Sequence, residues 1–91
     1  MSDRTNVMPN HLDAEQALLG CMIIDNEILP DVLEKLTEDD FYQESHQYIL
    51  YAMKINYNSH RPIDLVTLID RLETDGNLEK AGGVSYLTEL T

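Results

Sequence analysis

The stretch Asp40-Phe41-Tyr42-Gln43-Glu44-Ser45-His46-Gln47-Tyr48-Ile49-Leu50-Tyr51-Ala52-Met53 decides the fold. Tyr48, Ile49, Ala52 and Met53 recur at the spacing of one helical face, and Tyr51 and Ile55 widen it. Phe41, the single Phe of the chain, anchors the approach about one turn earlier. A helix that is apolar on most sides belongs between other helices, so this segment is expected at the centre of the domain. Ser45 is the expected N-cap of this central helix, which should run to Asn56 or Tyr57.

Helical patterns flank it on both sides. Met1 to Asn10 is polar and reads as a flexible arm, leaving residues 11–91 as one globular unit. Asp13 is placed to cap a first helix, with Glu15 adding a favourable charge in its opening turn. Ala14, Ala17, Leu18, Cys21 and Met22 form the apolar stripe of that helix. Gly20 sits within it, where glycine costs about 1 kcal/mol against alanine. The expected reason is the close approach of another helix. A second helix spans Glu27 to Leu36, starting at Leu29 if Pro30 occupies its first turn. Its inward face is Leu29, Val32, Leu33 and Leu36. Thr37 can cap the short acidic turn Glu38-Asp39-Asp40, and one of these carboxylates is expected to cap the next element.

After the central helix, Asn58 to Pro62 is a connector. Asp64 caps a further helix whose stripe is Leu65, Leu68, Ile69 and Leu72, and which ends at Gly76. Gly82-Gly83 forms a hinge into a last helix with Val84, Leu87 and Leu90 inward. No segment alternates with period two. The expected architecture is all-α, a compact orthogonal bundle of five to six short helices.

Composition narrows the function. The chain has 91 residues, enough for one small domain with a thin core. Its net charge is −11, from seventeen acidic and six basic residues. Counterion release by Lys and Arg drives nucleic-acid binding, so this domain is not expected to bind DNA directly. The charge favours solubility and a basic partner surface. The lone cysteine, Cys21, permits no internal disulfide and fits a reducing, cytoplasmic compartment. Its place on the apolar stripe suggests a small buried hydrophobe. No apolar run is long enough to span a membrane.

No phosphate-cradling glycine loop or nucleophile elbow is present. His46 has Asp39, Asp40 and Glu44 as sequence neighbours, yet they give neither zinc nor calcium spacing. His46 is therefore read as a first-turn residue packing on Phe41 or a neighbouring element and hydrogen-bonded to a backbone group. Tyr86, just after the double glycine, is expected to be partly exposed, either contacting a partner or packing with its hydroxyl at the edge of the core. No catalytic, cofactor-binding or metal residues are assigned.

Four ordered blocks carry a family resemblance. Pro9…Ala14-Glu15-Gln16-x-x-Leu19-Gly20 comes first, then Asp40-Phe41-Tyr42…His46…Ile49…Ala52-Met53. Pro62-Ile63-Asp64-Leu65-Val66-Thr67-Leu68 and Gly82-Gly83-x-x-Tyr86-Leu87 follow. Together they resemble the N-terminal domain of the bacterial replicative DNA helicase DnaB, over Pro9 to Leu90. The resemblance implies a non-catalytic collar domain, truncated before the helical hairpin and the motor domain of that family. It implies a homohexameric parent, with docking of the primase C-terminal domain and of a helicase loader. ATP and Mg would belong to the absent motor, which moves 5′ to 3′ on single-stranded DNA. Within the matched blocks, Asp13 and Tyr86 are the expected partner contacts, and Gly20, Phe41, His46, Asp64, Gly82 and Gly83 the structural positions. A free-standing acidic adaptor and a small metal-binding or hydrolytic domain are the competing readings.

Overall fold

The longest apolar segments form the helices that surround residues 44–58. The computed structural model describes residues 9–91, with side chains from Leu12 onward. The helices are α1 (Pro9–Ile24), α2 (Leu29–Lys35), α3 (Glu44–Asn58), α4 (Leu65–Thr74) and α5 (Gly83–Leu90). Two 3-10 turns, Asn26–Ile28 and Glu38–Asp40, precede α2 and α3. Among the described residues there is no strand. Most of the stretch read as an arm, residues 1–8, lies outside the described residues, while Pro9 and Asn10 already belong to α1.

α3 is the central element. It packs on α4, α1 and the 38–40 turn. Ile49, Leu50, Ala52 and Met53 are buried in its inner face, and Phe41 is buried beside them. Tyr48 is only half-buried and Tyr51 is exposed, so one side of the helix faces outward. Its N-cap is Gln43, not Ser45, and no side chain of its own caps it.

α2 and α4 follow their sequence patterns. Leu29 and Leu33 of α2 are buried, with Val32 and Leu36 packed against the core. In α4, Leu68 and Leu72 are buried and Leu65 and Ile69 half-buried. Asp64 caps α4 reciprocally with Thr67: its carboxylate accepts the Thr67 N–H at 2.9 Å, and the Thr67 hydroxyl accepts the Asp64 N–H at 3.0 Å. Such a box satisfies two amide donors that a helix start otherwise leaves free. α4 ends where expected, with Gly76 at φ 76° and the Asn77 N–H returning to the Leu72 carbonyl at 2.8 Å. α3 ends in the same way with His60 at φ 61°, and the Arg61 N–H returns to the Asn56 carbonyl at 2.8 Å.

α1 keeps only part of its expected face. Met22 of that stripe is buried and Leu18 packs against the core, joined by Leu19 and Ile23, whereas Ala14, Ala17 and Cys21 are exposed. Cys21 is thus a surface residue, not a buried hydrophobe. The physical reason is that Ala14 to Ile24 is apolar on nearly every side, so periodicity cannot select a face. Asp13 lies inside α1 and does not cap it, because the helix begins a turn earlier at Pro9. Gly20 behaves as expected. A Cβ at this position would collide with the backbone carbonyl oxygen of Leu90, so the end of α5 crosses directly over α1. On α5, Leu87 is buried and Leu90 half-buried, but Val84 is exposed. Tyr86 takes the inward position instead.

A histidine-centred junction and its bordering cleft

His46 projects from the first turn of α3 and is fully buried. A buried imidazole has two nitrogens to satisfy, and leaving either without a partner costs about 1–3 kcal/mol. Both are used here. Nδ1 lies 2.7 Å from the Glu15 carboxylate, and Nε2 lies 2.5 Å from the Tyr86 hydroxyl. The Gln16 side-chain amide donates to the same hydroxyl at 3.1 Å. One proton arrangement satisfies the whole chain: Nδ1–H donates to Glu15, Tyr86 O–H donates to Nε2, and Gln16 N–H donates to Tyr86. This tautomer is assigned from the partners. Phe41 closes the remaining side, its ring edge-on to the imidazole with centroids 5.9 Å apart.

The packing of His46 on Phe41 agrees with the sequence reading. Its hydrogen-bond partners do not, because both are side chains and neither is a backbone group. The acidic neighbours Asp39, Asp40 and Glu44 take no part. Among the described residues, no three metal-ligating side chains converge.

Glu15 has a second task. Its carboxylate accepts the backbone N–H groups of Tyr42 at 2.7 Å and Gln43 at 3.3 Å. These amides lead into α3, at the positive end of its dipole. A carboxylate of α1 therefore caps α3 from outside by holding its N-cap amide, the bond that an N3 side chain makes in a capping box, and α3 begins at Glu44 with no capping side chain of its own. Asp40, from the turn expected to supply that cap, instead turns back and accepts the Thr37 N–H at 2.8 Å. Sequence reasoning missed Glu15 and Gln16 as functional positions. The available signal was two adjacent polar residues just before the apolar run Ala17 to Ile24.

The other end of the junction is set by Gly82. It adopts φ 107°, a left-handed conformation that side chains disfavour. A Cβ there would also come within 2.6 Å of the Tyr86 ring. Gly82 thus both turns the chain into α5 and lets Tyr86 fold down toward His46. Gly83 follows at φ 83°. Through these contacts one histidine joins α1, α3 and α5.

Beside the junction lies a cleft of about 330 Å3 between α1 and α5. Asp13, Gln16, Ala17, Tyr86, Glu89 and Leu90 line it. The structure therefore brings together Asp13 and Tyr86, which stand 73 residues apart in the chain (86 − 13). Asp13 and Glu89 are exposed at the cleft, whereas Tyr86 is half-buried with its hydroxyl committed to His46 and Gln16. Asp64 is remote in role, acting only as the α4 cap.

Comparison with known proteins places this architecture. The family model described as the DnaB-like helicase N terminal domain matches residues 7–91. The replicative DNA helicase DnaB of Buchnera aphidicola subsp. Baizongia pistaciae is 46% identical over 84 residues, covering 92% of this chain and 18% of the relative. The replicative DNA helicase DnaC of Bacillus subtilis is 40% identical over 92 residues, covering 99% of this chain and 20% of that one. A crystal structure of the N-terminal domain of DnaB helicase from Mycobacterium tuberculosis superposes with a TM-score of 0.82 at 39% identity. That match covers 87% of this chain and 56% of the solved one. The chain spans a fifth or less of these two curated relatives. With a family match over nearly its whole length and the same all-α architecture, the chain belongs to the DnaB-like helicase N-terminal domain family.

Proposed function

We propose that this domain is the non-catalytic collar of a replicative, ATP-dependent 5′–3′ DNA helicase, docking the primase C-terminal domain and a helicase loader. Family membership over residues 7–91 is the observation that supports the reading. In this view ATP and Mg act in a motor region of the parent protein, the parent works as a homohexamer, and the setting is the bacterial cytoplasm. The domain contributes a docking surface and takes no direct hold on DNA, consistent with a net charge of −11. No helix among the described residues is long and apolar enough to cross a membrane.

The α1–α5 cleft is the proposed docking site. Asp13 and Glu89 supply carboxylates for a basic partner, and Ala17 leaves room for an incoming side chain. The His46 junction holds the two walls of the cleft at a set spacing. Rigid walls limit the conformational freedom a partner must freeze on binding.

The test is a calorimetric titration of this chain with a primase C-terminal domain. Ala17→Arg places bulk and opposing charge in the cleft, on an exposed position whose replacement leaves the core intact. The expected result is saturable binding by the wild type and at least a tenfold loss in Ala17→Arg, with an unchanged thermal midpoint. Asp13→Ala should give a smaller loss. Tyr86→Ala should weaken binding as well, and Tyr86→Phe, which keeps the ring, separates the loss of the hydroxyl from the loss of packing. No binding by the folded wild type removes primase from the reading. Equal affinity of Ala17→Arg removes the cleft.

A further inference from the structure

The outward side of α3 carries a second surface. Glu44, Gln47, Tyr48 and Tyr51 stand at i, i+3, i+4 and i+7, one stripe of the helix. At 100° per residue, Tyr48 and Tyr51 lie about 140–200° around the axis from His46. This stripe borders a groove of about 340 Å3, completed by Glu38 and Asn77. The groove shares no residue with the α1–α5 cleft. Tyr51 is 47% exposed although it occupies the middle of the central helix. Tyrosine is favoured at the centres of protein interfaces, where its ring gives contact area at low entropic cost.

The chain itself places a cation on one of these rings. The Lys80 ammonium lies 5.6 Å from the centroid of the Tyr48 ring, within cation–π range. Close by, the Lys54 ammonium pairs with Glu38 at 3.0 Å. Glu44, in the first turn of α3, adds an exposed carboxylate beside the two tyrosines. Aromatic faces alongside carboxylates suit a guanidinium, which stacks on a ring while donating two parallel hydrogen bonds to an acid. A second copy of this chain is disfavoured as the occupant, because both copies would carry −11.

We propose that the Glu44–Gln47–Tyr48–Tyr51 face of α3 is a docking groove for an arginine-bearing segment of a partner protein. The guanidinium stacks against Tyr51 and pairs with Glu44, while the adjoining chain crosses the groove toward Asn77. Lys80 occupies the Tyr48 ring in the unbound domain and is displaced or shared on binding. The surface is separate from the α1–α5 cleft, so a partner can engage both, or two partners can bind at once.

The experiment is an NMR titration of this chain with the peptide acetyl-Gly-Arg-Gly-Arg-Gly-amide, alongside its citrulline analogue, which keeps the shape and removes the charge. Perturbed amides should be confined to Glu44–Tyr51 and Asn77–Lys80 for the arginine peptide and absent for citrulline. Tyr51→Ala, an exposed change that leaves the thermal midpoint in place, should weaken binding about 2–5-fold. Lys80→Met, which frees the Tyr48 ring, should strengthen it by a similar factor. Ala17→Arg in the other cleft should leave it unchanged, so failure of one surface does not count against the other. Three results would overturn the proposal: shifts scattered over carboxylates of every helix, equal shifts with citrulline, or no effect of Tyr51→Ala. A lysine peptide binding as tightly as the arginine peptide would overturn the stacked, bidentate geometry.

Discussion

α4 and α1 are both apolar helices of this bundle, and they obey different rules. α4 has four apolar residues on one face, its own capping box at Asp64 and Thr67, and a left-handed stop at Gly76. Every feature that orients it is local. α1 is apolar on nearly every side from Ala17 to Ile24, and three long-range contacts orient it: Gly20 beneath the end of α5, Glu15 at the start of α3, and Gln16 on Tyr86. A helix with a one-sided pattern carries its own orientation. A helix without one takes its orientation from a few polar or close-packed positions, and those positions are where this domain places its junction.

The largest effects are expected from truncating one buried leucine in each helix. Leu68→Ala in α4 and Leu19→Ala in α1 should each cost about 2–5 kcal/mol, since both side chains are fully buried. Equal costs, read from urea midpoints, would establish Leu19 as the core position of a helix whose periodicity pointed to Ala17 and Cys21. A cost below about 1 kcal/mol at Leu19 would refute the buried face seen here.

Next in size is Glu15→Ala. It removes the partner of a buried imidazole and the cap of α3 together, so about 2–4 kcal/mol is expected. Hydrogen exchange should quicken at the amides of Tyr42 and Gln43, far from Glu15 in sequence, while the start of α4 is unaffected. Faster exchange confined to α1 would mean that the carboxylate does not cap α3.

Gly20→Ala tests tertiary against local preference directly. Helix propensity alone predicts a gain approaching 1 kcal/mol. The collision with the Leu90 backbone predicts a net loss of about 1–3 kcal/mol, the usual cost of overpacking. A stabilised variant would show that α5 does not press on α1. The smallest effect belongs to Cys21→Ser, at most about 0.5 kcal/mol for an exposed position, together with rapid labelling of the wild-type thiol in the native state. Slow labelling would restore Cys21 to the core.

The histidine illustrates why part of the site could not be read along the chain. His46 was marked by its own surroundings, and its contact with Phe41 lies only five residues away (46 − 41). Its hydrogen-bond partners stand 31 and 40 residues off. Local acids at Asp39, Asp40 and Glu44 were the natural candidates and are not used, because the first turn of α3 points the imidazole inward between α1 and α5. By sequence Tyr86 reads equally as a partner contact or as a core residue with its hydroxyl at the edge, and the structure turns that hydroxyl inward to His46. Its proposed role in docking now rests on the wall it forms beside Asp13.

What the amino-acid sequence determined by itself is the all-α class, the centrality of α3, the faces of α2 and α4 and the Asp64 cap. Each depends on spacings within one or two helical turns, where side-chain chemistry acts through short, fixed backbone geometry. Tertiary structure alone decided which side of α1 is buried, which carboxylate caps α3, where His46 sends its two hydrogen bonds, and that Tyr51 on the central helix faces outward. These depend on which helices meet. For a segment apolar on every side, that choice is made by the few polar atoms and close approaches that only one packing satisfies.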